Sequence, residues 1–428
     1  MPPLTDHPLR YDIANELHAR PFPTLDAPSR AAFLAIKPSN GGLSRDHDAD
    51  RAHLIALLDR YGAPHPQPDA THYSGQIGRH RLKWESHTEF LTFTVFLDGI
   101  SDRPFDGEAL DVFPKDWREA APGVCVTSAN IQVEIGEGDA AIIEKANTWF
   151  VPESLAISRV LDDELVIAGD FRIDASGHMR FAIFARPDTG ARRIGRVVQR
   201  LCEIETYKAM SMLGLTTARA LGPQMQAFDA TLTDILGAMT QSTSQPDIIL
   251  EQLLTVSAEL ENTVAQSSYR FGATGAYETI VNQRIAVLRE ERFGGLQTFG
   301  EFMMRRYDPA MRTVDSTQAR LQRMSDRAQR ASDLLRTQVD VARSAQNQAL
   351  LTSMDKRADL QLRLQRTVEG FSIVAISYYA VNLVLYVTGP IQKTIGLDKL
   401  QAAAISTPLV MLCVWLVVGR IRKKSEAD

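Results

Sequence analysis

Polar residues that could do chemistry cluster near the N-terminus, in the segment NELHARPF. This segment contains Glu16, His18 and Arg20. This is the densest polar cluster of the N-terminal arm, and such a cluster could be catalytic. The rest of the sequence offers no partner that would complete such a site, so a docking role is favoured over a catalytic one.

A second polar group interrupts an apolar run near the C-terminus, VEGFSIVAISYYAVNLVLYV. Its members are Ser377, Tyr378, Tyr379 and Asn382. Polar side chains at membrane depth usually face another helix or water. Two interpretations stay open: these residues join helices, or they line a pore.

Familiar catalytic and metal-binding motifs are absent from the sequence. There is no P-loop, HExxH, GxSxG or CxxC, and GEGDAA at Gly136 has alanine where a dinucleotide loop needs its last glycine. Cys125, Cys202 and Cys413 lie far apart, which indicates reduced thiols. The histidines lack ligand spacing and are typical of a solvated surface. We therefore expect neither an enzyme nor a resident metal or cofactor.

Composition places the chain among ordinary globular proteins with an added apolar part. The 428 residues have a formal net charge of -5 and 44% hydrophobic residues. The sequence pI is about 6.0, so no basic excess directs the molecule to nucleic acid.

Two apolar runs predict a transmembrane hairpin. Val368 to Val387 carries one charge, Glu369, and Ala402 to Gly419 carries none. Each is long enough to cross the hydrocarbon core of a bilayer. A short loop around Lys393 would join them on the far side.

Basic residues set the expected orientation of this hairpin. Lys356, Arg357, Arg363 and Arg366 precede the first span, and Arg420, Arg422, Lys423 and Lys424 follow the second. Such flanks are retained in the cytoplasm. The N-terminal residues also lack the features of a signal peptide. We expect a multi-pass protein of the inner (cytoplasmic) membrane with both termini in the cytoplasm and the lipid bilayer as a partner.

The elements that carry these residues predict an α+β fold. Prolines near the N-terminus indicate an extended arm, about seven runs of β-branched and aromatic residues predict strands, and no strand pattern follows Asp188. DASG at 174–177 predicts a turn. The predicted parts are the arm at 1–30, a mixed α/β cytoplasmic domain at 31–187, a helical region at 188–308, a stalk helix at 309–367, the hairpin at 368–419 and a basic tail at 420–428.

The stalk should begin at Asp308-Pro309, which resembles a helix N-terminus, and no proline or glycine follows before Gly370. Such a helix would be about 90 Å long. Its seam with three-four spacing consists of Leu321, Met324, Ala328, Ala331, Leu335, Gln338, Ala342, Ala345 and Ala349. This pattern is typical of a coiled coil or bundle. Packing within one chain and packing between subunits both remain open.

Two resemblances follow from these segments. NELHARPF, the segment from Arg270 containing LREERFGGLQT, and the C-terminal hairpin resemble an uncharacterised family of bacterial membrane-anchored proteins. The order of domain, stalk, two spans and basic tail resembles the CorA-type magnesium and cobalt channels. That resemblance implies a pentamer and would place Asn382 at the pore mouth. Of the channel motif Tyr-Gly-Met-Asn, only Tyr379 and Asn382 agree.

We therefore expect a membrane-anchored, homo-oligomeric protein of unresolved activity. A CorA-like conduit for a divalent or other cation is its most specific form. A scaffold without transport is the alternative, and a membrane-tethered enzyme ranks third.

Overall fold

The computed structural model describes residues 4–16, 22–38, 45–68, 70–106, 108–239, 246–395 and 398–425. The chain divides into two compact units. The first consists of Met1–Ser244 and Glu251–Ala331, and the second of Gln245–Leu250 and Ser332–Asp428. The predicted α+β class is confirmed.

A nine-stranded sheet within the described residues organises the first unit. Its strands are β1 (Ser29–Pro38), β2 (His72–Ile77), β3 (His80–Ser86), β4 (Leu91–Asp98), β5 (Gly123–Ile135), β6 (Ala156–Val160), β7 (Leu165–Ile173), β8 (Met179–Ala185) and β9 (Glu291–Arg292). Their order is β2-β3-β4-β1-β5-β8-β7-β6-β9. Among these described strands, only β5 and β8 pair in parallel.

Helices account for most of the remaining described chain. They are α1 (Arg10–Glu16), α2 (His47–Arg60), α3 (Lys115–Glu119), α4 (Asp139–Trp149), α5 (Ala191–Met239), α6 (Pro246–Ala286), α7 (Phe299–Arg306), α8 (Asp308–Ile395) and α9 (Lys399–Ser425), with a 3₁₀ turn at Glu108–Val112.

The turn predicted at DASG joins β7 to β8. The Asp174 carboxylate accepts a hydrogen bond from the Ser176 amide at 2.9 Å, and Gly177 has a φ of +90°. That backbone conformation is open to glycine and disfavoured for residues with a side chain. The local sequence therefore determines the turn.

Alternation along the strands gives the sheet two buried faces. On one face, Phe33 and Ile131 pack against the first turns of α5 through Val197 and Leu201. On the other, the β3–β4 half packs against α2 and α3, and the β6–β8 half against α4. Because α5 covers the sheet directly, the compact unit continues past the domain limit predicted at residue 187.

Two local predictions were wrong. The predicted extended arm contains α1, because no proline interrupts residues 9–20. Gly214 lies within α5, where an added Cβ would lie 2.2 Å from Thr274 Oγ1, so this glycine permits close approach of α5 and α6. A strand, β9, also follows Asp188, and at two residues it is too short to show alternation.

The predicted stalk is helical throughout, within α8. Inside the first unit it packs against α5 and α6, where Arg320 pairs with Asp229 at 3.4 Å and Val314 joins an apolar cluster with Leu215 and Phe271. The predicted seam is buried from Leu321 to Leu335 and exposed at Gln338, Ala342, Ala345 and Ala349. Its first half therefore packs within one chain.

Candidate functional site

The N-terminal motif leads into the surface where α5 begins. Glu16 is the last residue of α1, while His18 and Arg20 lie outside the described residues. At Phe22, the last residue of the motif, the guanidinium of Arg196 lies over the ring at 5.3 Å. A Cβ on Gly195 would lie 1.9 Å from the Pro23 carbonyl oxygen. The backbone of this segment therefore docks directly on α5.

Pro23 forms one wall of a solvent-open cleft between α5 and the β3–β4 half of the sheet. Its cavity volume is about 20 Å³, which is room for about one water molecule. On the face of the sheet that lines the cleft, the side chains of β3 and β4 are polar. The side chains nearer β5 on the same face are apolar. Thr92 and Thr94 lie on the cleft floor, are buried, and make no side-chain hydrogen bond within the described part of the chain.

A chain of charged groups crosses this cleft. Lys83 Nζ lies 3.2 Å from Glu85 Oε1 and donates to Gln199 Oε1 at 2.9 Å. The Gln199 amide donates in turn to Glu203 Oε1 at 2.8 Å, and Glu203 forms an ion pair with Arg284. Two cations therefore balance two carboxylates, and the set joins β3, α5 and α6 without net charge.

Aromatic rings close the inner end of the cleft. The His87 ring stacks on Phe90 with centroids 4.4 Å apart, and Phe90 meets Tyr207 edge-on at 5.7 Å. Tyr207 and Tyr277 lie 5.5 Å apart, and burial raises the pKa of the Tyr277 hydroxyl. This hydroxyl therefore stays protonated at neutral pH.

The lining provides little for catalysis. The cleft is also lined by Cys202, and burial raises the pKa of the Cys202 thiol well above its usual range. A thiol of this kind is a poor nucleophile because the thiolate is the reactive form. No group of three metal-ligating side chains occurs in the part of the chain that the structure describes.

One serine and one histidine meet outside the cleft. Ser128 Oγ lies 2.7 Å from His178 Nδ1. The nearby Asp174 carboxylate accepts from the backbone amides of Ser176 and His178 and so shapes the turn rather than orienting the imidazole. Burial lowers the pKa of His178. The pair lacks the third group that a catalytic triad requires.

The long motif that begins at Arg270 ties the helices to the sheet. Arg270 binds Glu89 at 2.9 Å beside the aromatic wall, and the hydroxyls of Tyr307 and Ser211 lie 2.8 Å apart. Glu89 is almost fully buried, so its guanidinium partner compensates a charge that would otherwise be costly.

Within this motif, Glu290 caps a helix. Its carboxylate accepts from the backbone amides of Phe299 at 3.0 Å and Gly300 at 2.8 Å, and from the Ser158 hydroxyl at 2.6 Å. Thr298 and Glu301 form a capping box at the same end of α7. The LREERFGGLQT segment therefore has a structural role: it joins β6 to the N-terminal end of α7.

The polar residues predicted at membrane depth lie on α8. Tyr378 and Tyr379 are 67% and 70% exposed, whereas Ser377 is 4% exposed and its hydroxyl has no partner among the described residues. Asn382 Nδ2 donates to the Tyr378 carbonyl oxygen at 3.0 Å. α8 and α9 each contain a segment long and apolar enough to cross a membrane, with mean hydropathy of 1.7 and 2.1.

A known family matches nearly the whole chain. The model of a family of unknown function, DUF3422, matches residues 5–425. The chain belongs to this family. No curated protein and no solved structure matches the chain. The predicted membership of an uncharacterised family is confirmed, and the resemblance to CorA-type channels receives no support.

Sequence reasoning missed the cleft. Its charged residues come from β3, α5 and α6, so no local spacing connects them. The alternation of Arg81, Lys83 and Glu85 with Leu82 and Trp84 was the available signal, since it places three charged residues on one sheet face.

Proposed function

We propose that this DUF3422 protein is anchored in the inner (cytoplasmic) membrane by α8 and α9 and holds its sheet-containing unit in the cytoplasm. The observation that carries this proposal is the exposure of both apolar segments, in each of which 6% of residues are buried. The core helix of a soluble protein would be mostly buried instead. Exposed apolar helices of this length need lipid around them.

The basic flanks support an orientation with both termini in the cytoplasm. Single cysteines placed near Lys393 and after Lys424, in a variant without the three native cysteines, test it. A membrane-impermeant maleimide added to intact cells should label the first position and not the second. Labelling after Lys424 would refute this topology, and release of the protein by alkaline carbonate would refute anchorage.

Self-association through α8 is a second part of the proposal. Ala342, Ala345 and Ala349 continue the three-four spacing of the buried seam yet are exposed in the single chain. Small residues at this spacing let parallel helices approach closely. Cross-linking of single cysteines at 342 or 345, compared with Arg343 on another face, should give dimers selectively at the seam positions.

A cation conduit is the most specific form of this function. Its support is that Asn382 uses one amide N–H within its own helix, which leaves the side-chain oxygen available to the water shell of a cation. Flux of mono- and divalent cations into liposomes should then occur with wild type and be lost in Asn382→Leu at unchanged oligomer size. Absence of flux in wild type would refute the conduit and leave the anchored scaffold.

We favour a role without catalysis for the cytoplasmic unit. Support comes from the cleft, where charged side chains neutralise one another and the thiol is kept protonated. The charged set then serves to hold helix and sheet together. The proposal would be contradicted if the protein turned over a substrate and the Lys83→Met variant lost that turnover at unchanged thermal stability.

A further inference from the structure

Basic side chains near the predicted membrane surface are exposed and unpaired. Arg363 and Arg366 on α8 and Arg420 on α9 make no ion pair with any described residue. Other exposed arginines of α8, such as Arg336 and Arg343, also make no ion pair with a described residue. What distinguishes Arg363, Arg366 and Arg420 is therefore their position beside the apolar segments.

Their distance from the apolar segments is short. At 1.5 Å per residue, Arg363 lies about 8 Å along the helix from Val368 and Arg366 about 3 Å. On the second helix Arg420 follows the apolar segment directly, and Arg422, Lys423 and Lys424 occupy the next turn.

The Debye length is about 8 Å at physiological ionic strength. These six basic residues therefore lie within about one Debye length of the bilayer surface. In the same layer one carboxylate, Glu369, opposes them, and it accepts from the Gln365 amide at 3.3 Å. Glu426 and Asp428, which come later in the sequence, lie outside the described residues. A net positive surface results at the level of lipid headgroups.

We infer that the cytoplasmic end of the hairpin binds anionic phospholipid headgroups. The inference rests on the proposed anchorage. Guanidinium groups bind phosphate oxygens through paired N–H donors, and arginines supply four of the six basic residues. A basic residue near an anionic membrane surface adds about five-fold in affinity.

The test uses the full chain in neutral detergent, titrated with phosphatidylglycerol or phosphatidylcholine and followed by native mass spectrometry. Wild type should bind phosphatidylglycerol more tightly. Arg363→Gln with Arg366→Gln should reduce that preference about twenty-five-fold, at five-fold per residue. Replacement of both by lysine should retain most of it.

A matched control lies further along α8. Lys356→Gln with Arg357→Gln removes the same charge at about 17 Å from the apolar segment, so screening should limit its effect to less than about two-fold. Equal loss in both double variants, equal binding of the two lipids, or displacement of the lipid by millimolar inorganic phosphate would overturn the inference.

The outcome for anchorage is separate. Flotation with pure phosphatidylcholine vesicles depends on the apolar segments and should be unchanged in all these variants. If wild type fails to float with such vesicles, the proposed anchorage fails. If it floats but shows no preference for phosphatidylglycerol, the headgroup inference alone fails.

Discussion

Removal of the Glu290 carboxylate should destabilise the sheet-containing unit. In Glu290→Ala the amides of Phe299 and Gly300 lose their carboxylate acceptor, and so does the fully buried hydroxyl of Ser158. The Phe299 amide keeps a weaker acceptor, Ser158 Oγ at 3.2 Å. Two donors thus lose their acceptor fully.

The size of the effect follows from two opposing contributions. A buried donor left without an acceptor costs about 1–3 kcal/mol. Burial also raises the pKa of Glu290, which shows that holding the charge there is unfavourable and offsets part of the gain. We therefore expect a loss of about 3 kcal/mol in unfolding free energy at neutral pH.

Urea unfolding of the full chain in mild detergent, followed by circular dichroism, measures this loss. The matched control is Glu291→Ala, because Glu291 is exposed and its side chain makes no hydrogen bond within the described residues. Its effect should stay within about 0.5 kcal/mol. Equal effects of the two substitutions would refute the capping role of Glu290.

Three further predictions use the same measurement. Ala328→Leu should lower the unfolding free energy by about 1–3 kcal/mol because Ala328 is fully buried. Ala342→Leu should change the stability of the single chain by no more than about 0.5 kcal/mol because Ala342 is exposed. Equal losses in the two variants would place Ala342 in a packed core. His53 is buried against Trp117 with its pKa lowered to about 4, so it favours the folded state above pH 6.5 and loses that contribution as pH falls toward 4. His53→Phe should therefore remove up to about 3 kcal/mol of the acid-side loss, and an unchanged pH profile would contradict the burial of a neutral imidazole. Gly195→Ala should cost about 1–3 kcal/mol and expose the N-terminal segment to proteolysis, while Gly222→Ala, where nothing lies within 4 Å, should be neutral or stabilising.

The sequence by itself determined the local features of this protein. Alternating strands, the DASG turn, the proline-started helix of the stalk and the two apolar segments each depend on neighbours within a few residues. Such patterns act through backbone geometry and side-chain periodicity, so they can be predicted without knowing the fold.

Tertiary structure decided which elements meet. The cleft brings Lys83 within 2.9 Å of Gln199 across 116 positions of sequence, and Arg284 reaches Glu203 across 81. The alanine seam has one spacing throughout, yet it is buried at Ala328 and exposed at Ala342. Spacing defines a helix face, but only the packing of other elements determines whether that face is covered.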